Sequence, residues 1–215
     1  SYIYKNNTRT GEGIVDKEGK NQGDWKLYYP SGELKAIGKY IDGMKEGEWV
    51  FYFINGQVEQ KGNYATDRPQ GTWKWWYESG KILREERYRK GKEDGFMVEY
   101  DSEGKEINKG EYIDGYKTGL WFYTVNDYTE EGEYLNNERH NQWKATYDNG
   151  KTYFKGEYEA GVPKGKHSWY YRNGNIKEEG KYKRGEKHGT WRTFFEFGLV
   201  DVVIKYRYGQ KIKIG

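Results

Sequence analysis

The stretch Gly47–Gly71, GEWVFYFINGQVEQKGNYATDRPQG, is one copy of a unit that recurs along the chain. It begins with a glycine, places Trp49 two residues later, continues through the turn Asn55-Gly56, and then carries Gly62 and Tyr64. The next copy begins 24 residues on, and the leading positions are Gly23, Gly47, Gly71, Gly95 and Gly119 and, after a copy two residues shorter, Asn141, Gly165 and Gly189. A fixed period in this range predicts a repeat architecture.

The period divides the chain into two parts. Residues 1–22 are predicted to be a degenerate N-terminal capping unit, because terminal repeats are usually atypical. Residues 23–215 are predicted to be a tandem array of eight 24-residue β-hairpin repeats that form one continuous repeat domain. We number these repeats one to eight, starting from Gly23.

The composition is unusual for a globular chain. Only 34% of the residues are hydrophobic and 33% are charged, yet 19% are aromatic. Disordered chains are poor in aromatic residues, so this chain is predicted to fold. Because aliphatic residues are few, the aromatic rings must supply most of the area that is buried in the core. The net charge is +3, there is no cysteine, and no apolar run reaches the length that spans a bilayer.

Each repeat reads as two strands and two turns. Apolar residues alternate with period two, as in Trp49, Phe51 and Phe53, and frequent glycines oppose helix. Asn55-Gly56 predicts a tight hairpin turn with positive φ at both central residues. The second connection, from Asp42-Gly43 to Gly47, is predicted to be a longer loop. The fold class is therefore all-β, an elongated, twisted, single-layer antiparallel meander of roughly sixteen strands.

In six of the eight repeats a glycine precedes the return-strand Tyr by two residues, and we hypothesise that it has a steric role. With no side chain there, a Trp ring from the neighbouring strand can lie flat on the backbone. The repeat-structural residues are Trp25, Trp49, Trp73, Trp121, Trp143, Trp191, Gly38, Gly62, Gly110, Gly132, Gly156 and Gly180.

The pattern GxWxxYYxxGxLxxxGxYxxGxxxG resembles the MORN repeat, in the variant form common in bacterial proteins. The resemblance implies a single-layer array of antiparallel hairpins. Bacterial relatives include antitoxin-like or immunity-like partners of secreted toxins, and eukaryotic relatives are linked to membrane-associated scaffolding and phospholipid contact. The repeat pattern alone transfers neither function, because a fold does not imply a function.

No catalytic, cofactor-binding or metal site is predicted. The sequence lacks the phosphate-binding, dinucleotide-binding and zinc-protease motifs. Adjacent acids such as Glu85-Glu86 point to opposite faces of a strand, and the three histidines lack metal-ligand spacing. Nucleic acid is not an expected partner, because acids interleave with the bases.

The positions that vary within the constant frame are the most informative. Two residues after each Trp position lies a set that we call the variable row: Leu27, Phe51, Trp75, Glu99, Tyr123, Ala145, Trp169 and Thr193. Its aromatic members, Phe51, Trp75, Tyr123 and Trp169, are the candidate partner-binding residues, since rings are enriched at interaction hot spots. The alternative is that they form only the middle of the aromatic layer.

The predicted function is a non-catalytic scaffold that binds another protein, with an antitoxin-like or immunity-like role implied by the resemblance alone. The competing hypothesis is a cell-surface or membrane-associated module that binds glycan or lipid, and a spacer is the third. The sequence begins with Ser1 and shows no signal peptide, so the localisation is left open between a cytoplasmic protein and an exported one from which a signal segment has been removed.

Overall fold

A computed structural model describes residues 1–5 and 8–212 and contains strands but no helix in that part of the chain. The chain divides into two compact units, and β10 (Glu106–Ile113) contributes residues to both. The N-terminal unit holds β1 (Tyr2–Lys5), β2 (Thr8–Val15), β3 (Asn21–Tyr28), β4 (Leu34–Ile41), β5 (Met44–Tyr52), β6 (Val58–Ala65), β7 (Arg68–Trp76), β8 (Ile82–Arg89) and β9 (Lys92–Tyr100). The C-terminal unit holds β11 (Tyr116–Val125), β12 (Tyr128–Leu135), β13 (Glu138–Tyr147), β14 (Thr152–Glu159), β15 (Val162–Tyr170), β16 (Ile176–Lys183), β17 (Glu186–Phe194), β18 (Val200–Arg207) and β19 (Gln210–Ile212).

Within each unit every strand pairs antiparallel with the next strand in sequence, from β1 to β9 and from β11 to β19. The predicted all-β hairpin meander is therefore confirmed. The described residues form 19 strands rather than the roughly sixteen expected from eight hairpins. The additional strands are β1 and β2, within residues 1–22, and β19.

The two kinds of turn are the reverse of the prediction. At Asn55-Gly56 only the glycine has positive φ, and Gly56 donates to the carbonyl of Phe53, so a three-residue loop with a left-handed glycine closes the hairpin. At Asp42-Gly43 both residues have positive φ, 52° and 81°, and Ile41 pairs directly with Met44. The two-residue turn therefore lies in the connection that was expected to be the longer loop.

The leading glycine of the repeat explains why the segment from Asp42-Gly43 to Gly47 was predicted to be a long loop. Gly47 has a φ of 68°, and the pairing of β4 with β5 shifts by two residues between the pairs Lys39–Glu46 and Ile37–Val50. Three residues of β5 therefore lie opposite Gly38 alone, which is a β-bulge that bends the strand beside the tight turn. The glycine therefore serves a bulge inside a strand, and the strand runs on to the tight turn.

The core is a layer of tryptophans on one face of the strands, which we call the Trp face. The six repeat-structural tryptophans are between 0% and 3% exposed: Trp25, Trp49, Trp73, Trp121, Trp143 and Trp191. The side chains that alternate with them lie on the opposite face, because strand neighbours point to opposite sides. No helix among the described residues is long and apolar enough to cross a bilayer.

Candidate functional site

Each of the six repeat-structural Trp rings lies flat on a glycine of the preceding strand. A Cβ built on Gly62 would stand 2.5 Å from Cγ of Trp73, far inside the contact distance of two carbon atoms. The indole N–H of Trp73 donates to the carbonyl of Asn63 at 3.1 Å, and the Tyr64 ring meets the indole edge-on at 4.9 Å. The glycine, the carbonyl and the tyrosine thus hold the indole on three sides.

The same close approach recurs at other positions in both units. It joins Gly13 to Trp25, Gly38 to Trp49, Gly110 to Trp121, Gly132 to Trp143 and Gly180 to Trp191. In repeat seven His167 occupies the Trp position, is 1% exposed, and lies over Gly156 together with Phe154. Burial lowers the pKa of His167, and its Nε2 lies 2.9 Å from the carbonyl oxygen of Glu157. A neutral ring therefore takes the place of the indole.

In the N-terminal unit the variable row places Phe51 and Trp75 on either side of Trp73. The ring centroid of Trp73 lies 6.5 Å from that of Phe51 and 6.0 Å from that of Trp75. Both outer rings are partly exposed, unlike Trp73. The guanidinium of Arg84 lies 4.2 Å from the Trp75 ring, and the Trp75 indole donates to Gln60 at 3.0 Å. Partly exposed Phe and Trp side chains with an adjacent Arg form a surface of the composition that partner proteins use.

In the C-terminal unit the structure brings Tyr123 and Trp169 to a single cluster. Both rings are partly buried against the buried side chains of Trp143, Ala145 and Phe154. The Trp169 ring lies 5.2 Å from Phe154. Leu27, Glu99 and Thr193 of the variable row are also partly exposed, whereas Ala145 is buried. The row therefore contains both core and surface positions, which the sequence did not separate.

The Trp face is also covered by cations that sequence reasoning missed. Lys117 Nζ lies 4.5 Å from the ring centroid of Trp121 and 5.1 Å from that of Tyr123, and it donates to the Tyr123 hydroxyl at 2.9 Å. Burial lowers the pKa of Lys117. Lys45 has the equivalent place over Trp49, at 5.2 Å. Such cation–π contacts contribute about 0.5–2 kcal/mol each.

Two further repeats combine the cation with a carboxylate. Arg139 lies 4.1 Å from the Trp143 ring and is paired with Glu130 at 2.9 Å. Lys187 lies 3.8 Å from the Trp191 ring and is paired with Glu178 at 2.7 Å. The available signal was a Lys or Arg four residues before the Trp: Lys45, Lys117, Arg139 and Lys187.

The aromatic layer is interrupted at one position. Met97 takes the place of Trp in repeat four, and its register partner on β8 is Glu86 instead of glycine. Glu86 is 5% exposed, accepts a hydrogen bond from the Tyr88 hydroxyl at 2.8 Å, and lies 3.8 Å from Arg84. Burial raises the pKa of Glu86, and burial followed by the nearby carboxylate raises the pKa of Tyr88. The glycine and the ring that would cover it are therefore replaced together.

The remaining acids of the adjacent pairs are held by lysine and arginine side chains. Glu85 lies 3.1 Å from Lys74, and Glu179 lies 2.6 Å from Lys166. Among residues 1–5 and 8–212, no group of three or more His, Cys, Asp or Glu side chains is placed to hold a metal ion. The described residues of the Trp face form packed aromatic rings and ion pairs.

Comparison with known proteins identifies the repeats. The family model described as the MORN repeat variant matches residues 21–42, 45–65, 69–90 and 163–184, which correspond to repeats one, two, three and seven. No curated protein matches the chain. MORN repeats are associated with scaffolds for protein or membrane interaction and are generally non-catalytic.

Two solved structures show only weak similarity. A GtfA/B complex bound to UDP and GlcNAc is 13% identical, with a TM-score of 0.24, over 49% of this chain and 21% of that chain. The Photorhabdus luminescens Tc holotoxin pore is 12% identical, with a TM-score of 0.20, over 94% of this chain and 14% of that chain. The chain thus spans a small part of both structures, and neither similarity bears on its function. Four of the repeats thus match the MORN repeat variant, and the hairpin architecture agrees with that match.

Proposed function

We propose that this chain is a non-catalytic scaffold that binds another protein through the aromatic side chains of the variable row. The observation that carries the proposal is the partial exposure of Phe51 and Trp75 beside the fully packed Trp73, with Arg84 stacked on Trp75. Trp and Arg are the residue types most enriched among interface hot spots. Rings held by packed neighbours also lose little conformational freedom on binding, which favours affinity.

The narrower form of the proposal is an antitoxin-like or immunity-like role, in which the partner is a toxin. This form rests on the resemblance of the repeats to those of such proteins. The side chains of the variable row differ from repeat to repeat, whereas the Trp and Gly positions recur. This variation supports a role in binding one particular toxin, because specificity for one partner needs side chains that differ along the array.

The test is an affinity pull-down from lysate and envelope fractions of the source organism, followed by calorimetry with the purified partner. Phe51→Ser/Trp75→Ser is compared with wild type and with Tyr52→Ser/Trp76→Ser, which changes the next residue of each strand, on the opposite face. A protein that binds wild type and the control but loses about tenfold or more in affinity for the Phe51/Trp75 variant supports the proposal. Capture of a toxin supports the narrower form.

Two outcomes contradict the proposal. Equal affinity of the partner for all three proteins removes the variable row from the interface. Retention of a polysaccharide or lipid without any protein favours a glycan-binding or membrane-associated module instead. Circular dichroism of each variant checks that the sheet remains folded at the temperature of the experiment.

A further inference from the structure

A cavity of about 510 Å³ lies in the C-terminal unit on strands β15, β16 and β17. Its charged lining consists of Lys166, Lys181, Lys183, Arg192 and Glu179, and His188 also lines it. These lysines alternate along their strands with His167, Gly180 and Tyr182, so they lie on the face opposite the Trp rings. We call this cavity the basic trough.

The basic trough has more cations than it can pair internally. Glu179 is its single lining carboxylate, and it is shared by Lys166 at 2.6 Å and Arg192 at 3.7 Å. Four cations and one carboxylate leave a surplus of three positive charges. Lys181 and Lys183 make no ion pair with any of the described residues. The unpaired charge is therefore concentrated on β16.

Among the repeats compared below, only repeat seven places like charges against each other at the position after the leading residue. Lys61 with Lys74 and Lys144 with Lys155 are also opposed, but at another position of the strands. Lys166 lies directly opposite Lys181. The equivalent pairs elsewhere are Asp24 with Lys39, Glu48 with Asn63, Thr72 with Arg87, Leu120 with Glu133, Gln142 with Glu157 and Thr190 with Lys205. Like charges directly opposite on a sheet are destabilising. Their repulsion is relieved when an anion binds between them, so a bound acidic group would offset the cost.

The spacing of the cations indicates the form of the anion. Neighbouring strands are about 4.8 Å apart, and alternate residues of one strand, such as Lys181 and Lys183, are roughly 6.6 Å apart. Lysines act as separate point charges, so this grid suits several carboxylates spaced along a chain better than one compact anion. We infer that the basic trough binds an extended acidic segment of a protein partner. This inference rests on the proposed protein-binding function and names the partner chemistry at a second surface.

The probe is a fluorescein-labelled decaglutamate peptide, and its binding to the full chain is followed by fluorescence anisotropy at several salt concentrations. Lys181→Glu/Lys183→Glu is expected to weaken binding by about tenfold or more, because it reverses the unpaired charges. The control is Lys144→Glu/Lys155→Glu, which makes the same change in net charge. Lys144 and Lys155 are also directly opposite each other but lie outside the trough. The control is expected to retain binding.

An NMR measurement locates the peptide independently of the variants. The imidazole resonances of His188, which lines the trough, should shift when decaglutamate is added. Those of His140, at the equivalent position of repeat six, should stay unchanged. Absence of salt-dependent binding, equal weakening by both charge reversals, or equal shifts of both histidines would overturn the inference. Binding to vesicles with anionic lipid in the absence of decaglutamate binding would overturn it in favour of a membrane.

The failure of this inference is distinguishable from failure of the proposed function. Decaglutamate binding requires no natural partner, and Phe51→Ser/Trp75→Ser should leave it unchanged because neither residue lines the basic trough. Loss of partner capture with intact peptide binding counts against the variable row, whereas partner capture without peptide binding counts against the basic trough.

Discussion

Trp73 lies directly on Gly62, so closely that a Cβ at residue 62 would fall inside the indole. Gly62 pairs with Trp49 on one side, and β7, which carries Trp73, lies on the other. The glycine therefore connects two successive rings of the aromatic layer. A side chain at this position would displace an indole that is only 3% exposed.

Gly62→Val should destabilise the protein strongly. The added side chain forces Trp73 off the backbone and breaks its hydrogen bond to Asn63, and we expect a loss of about 2–4 kcal/mol by analogy with overpacked and ring-deleted cores. Urea unfolding followed by tryptophan fluorescence measures the loss. Asn63→Val is the matched control, because its side chain lies on the opposite face and is exposed. An equal effect of the two changes would contradict the steric role of the glycine.

Glu86 and Met97 should behave as a coupled pair. Met97→Trp alone brings an indole against the Glu86 side chain, and Glu86→Gly alone leaves the backbone under Met97 uncovered. The double variant recreates the glycine–Trp contact seen in the other repeats. We expect it to be more stable than the sum of the single changes predicts, by about 1–3 kcal/mol, a typical coupling for residues in contact. A double-mutant cycle in urea gives the coupling, and additive effects would rule it out.

The buried Glu86 carboxyl should make stability depend on pH. Burial raises its pKa in the folded state, so its contribution to stability is fully present below the unfolded-state pKa and is lost as the pH rises through the folded-state pKa. Glu86→Gln should therefore be similar to wild type in acid and more stable than wild type above that interval. Unfolding at a series of pH values tests this, with Glu85→Gln as the control on the opposite face. A difference between wild type and Glu86→Gln that stays constant with pH is incompatible with the mechanism.

Thr66→Asn should stabilise the protein. Thr66 is β-branched and has a φ of 52° in the two-residue turn Thr66-Asp67. Asparagine tolerates this left-handed conformation better, and the gain should be about 0.5–1 kcal/mol, or a rise of roughly 1–4 °C in Tm. Thermal denaturation followed by circular dichroism measures it. The same substitution at Thr72, an exposed residue within β7, should give no gain. Equal shifts at both positions would show that the turn conformation is not the cause.

The period of 24 residues and the alternation of apolar residues were sufficient to predict an all-β chain of hairpins. Both signals are local, because strand alternation and turn spacing depend on residues close together in sequence. The turn types were assigned wrongly for the same reason. Asn55-Gly56 is the standard sequence signal for a tight turn, but the pairing of β5 with β6 shifts between Phe51 and Tyr52 beside it, and a three-residue loop closes the hairpin.

The sequence determined that Trp and Gly recur at fixed positions and which residues vary between them. Only the tertiary structure decided that Phe51 and Trp75 remain partly exposed while Ala145 is buried, because exposure depends on how neighbouring strands cover a side chain. It also decided that Glu86 is buried at the interruption of the layer and that Lys166 faces Lys181. Lys166 and Lys181 lie on different strands, and their charges act on each other because strand pairing brings their Cα atoms within about 5.5 Å.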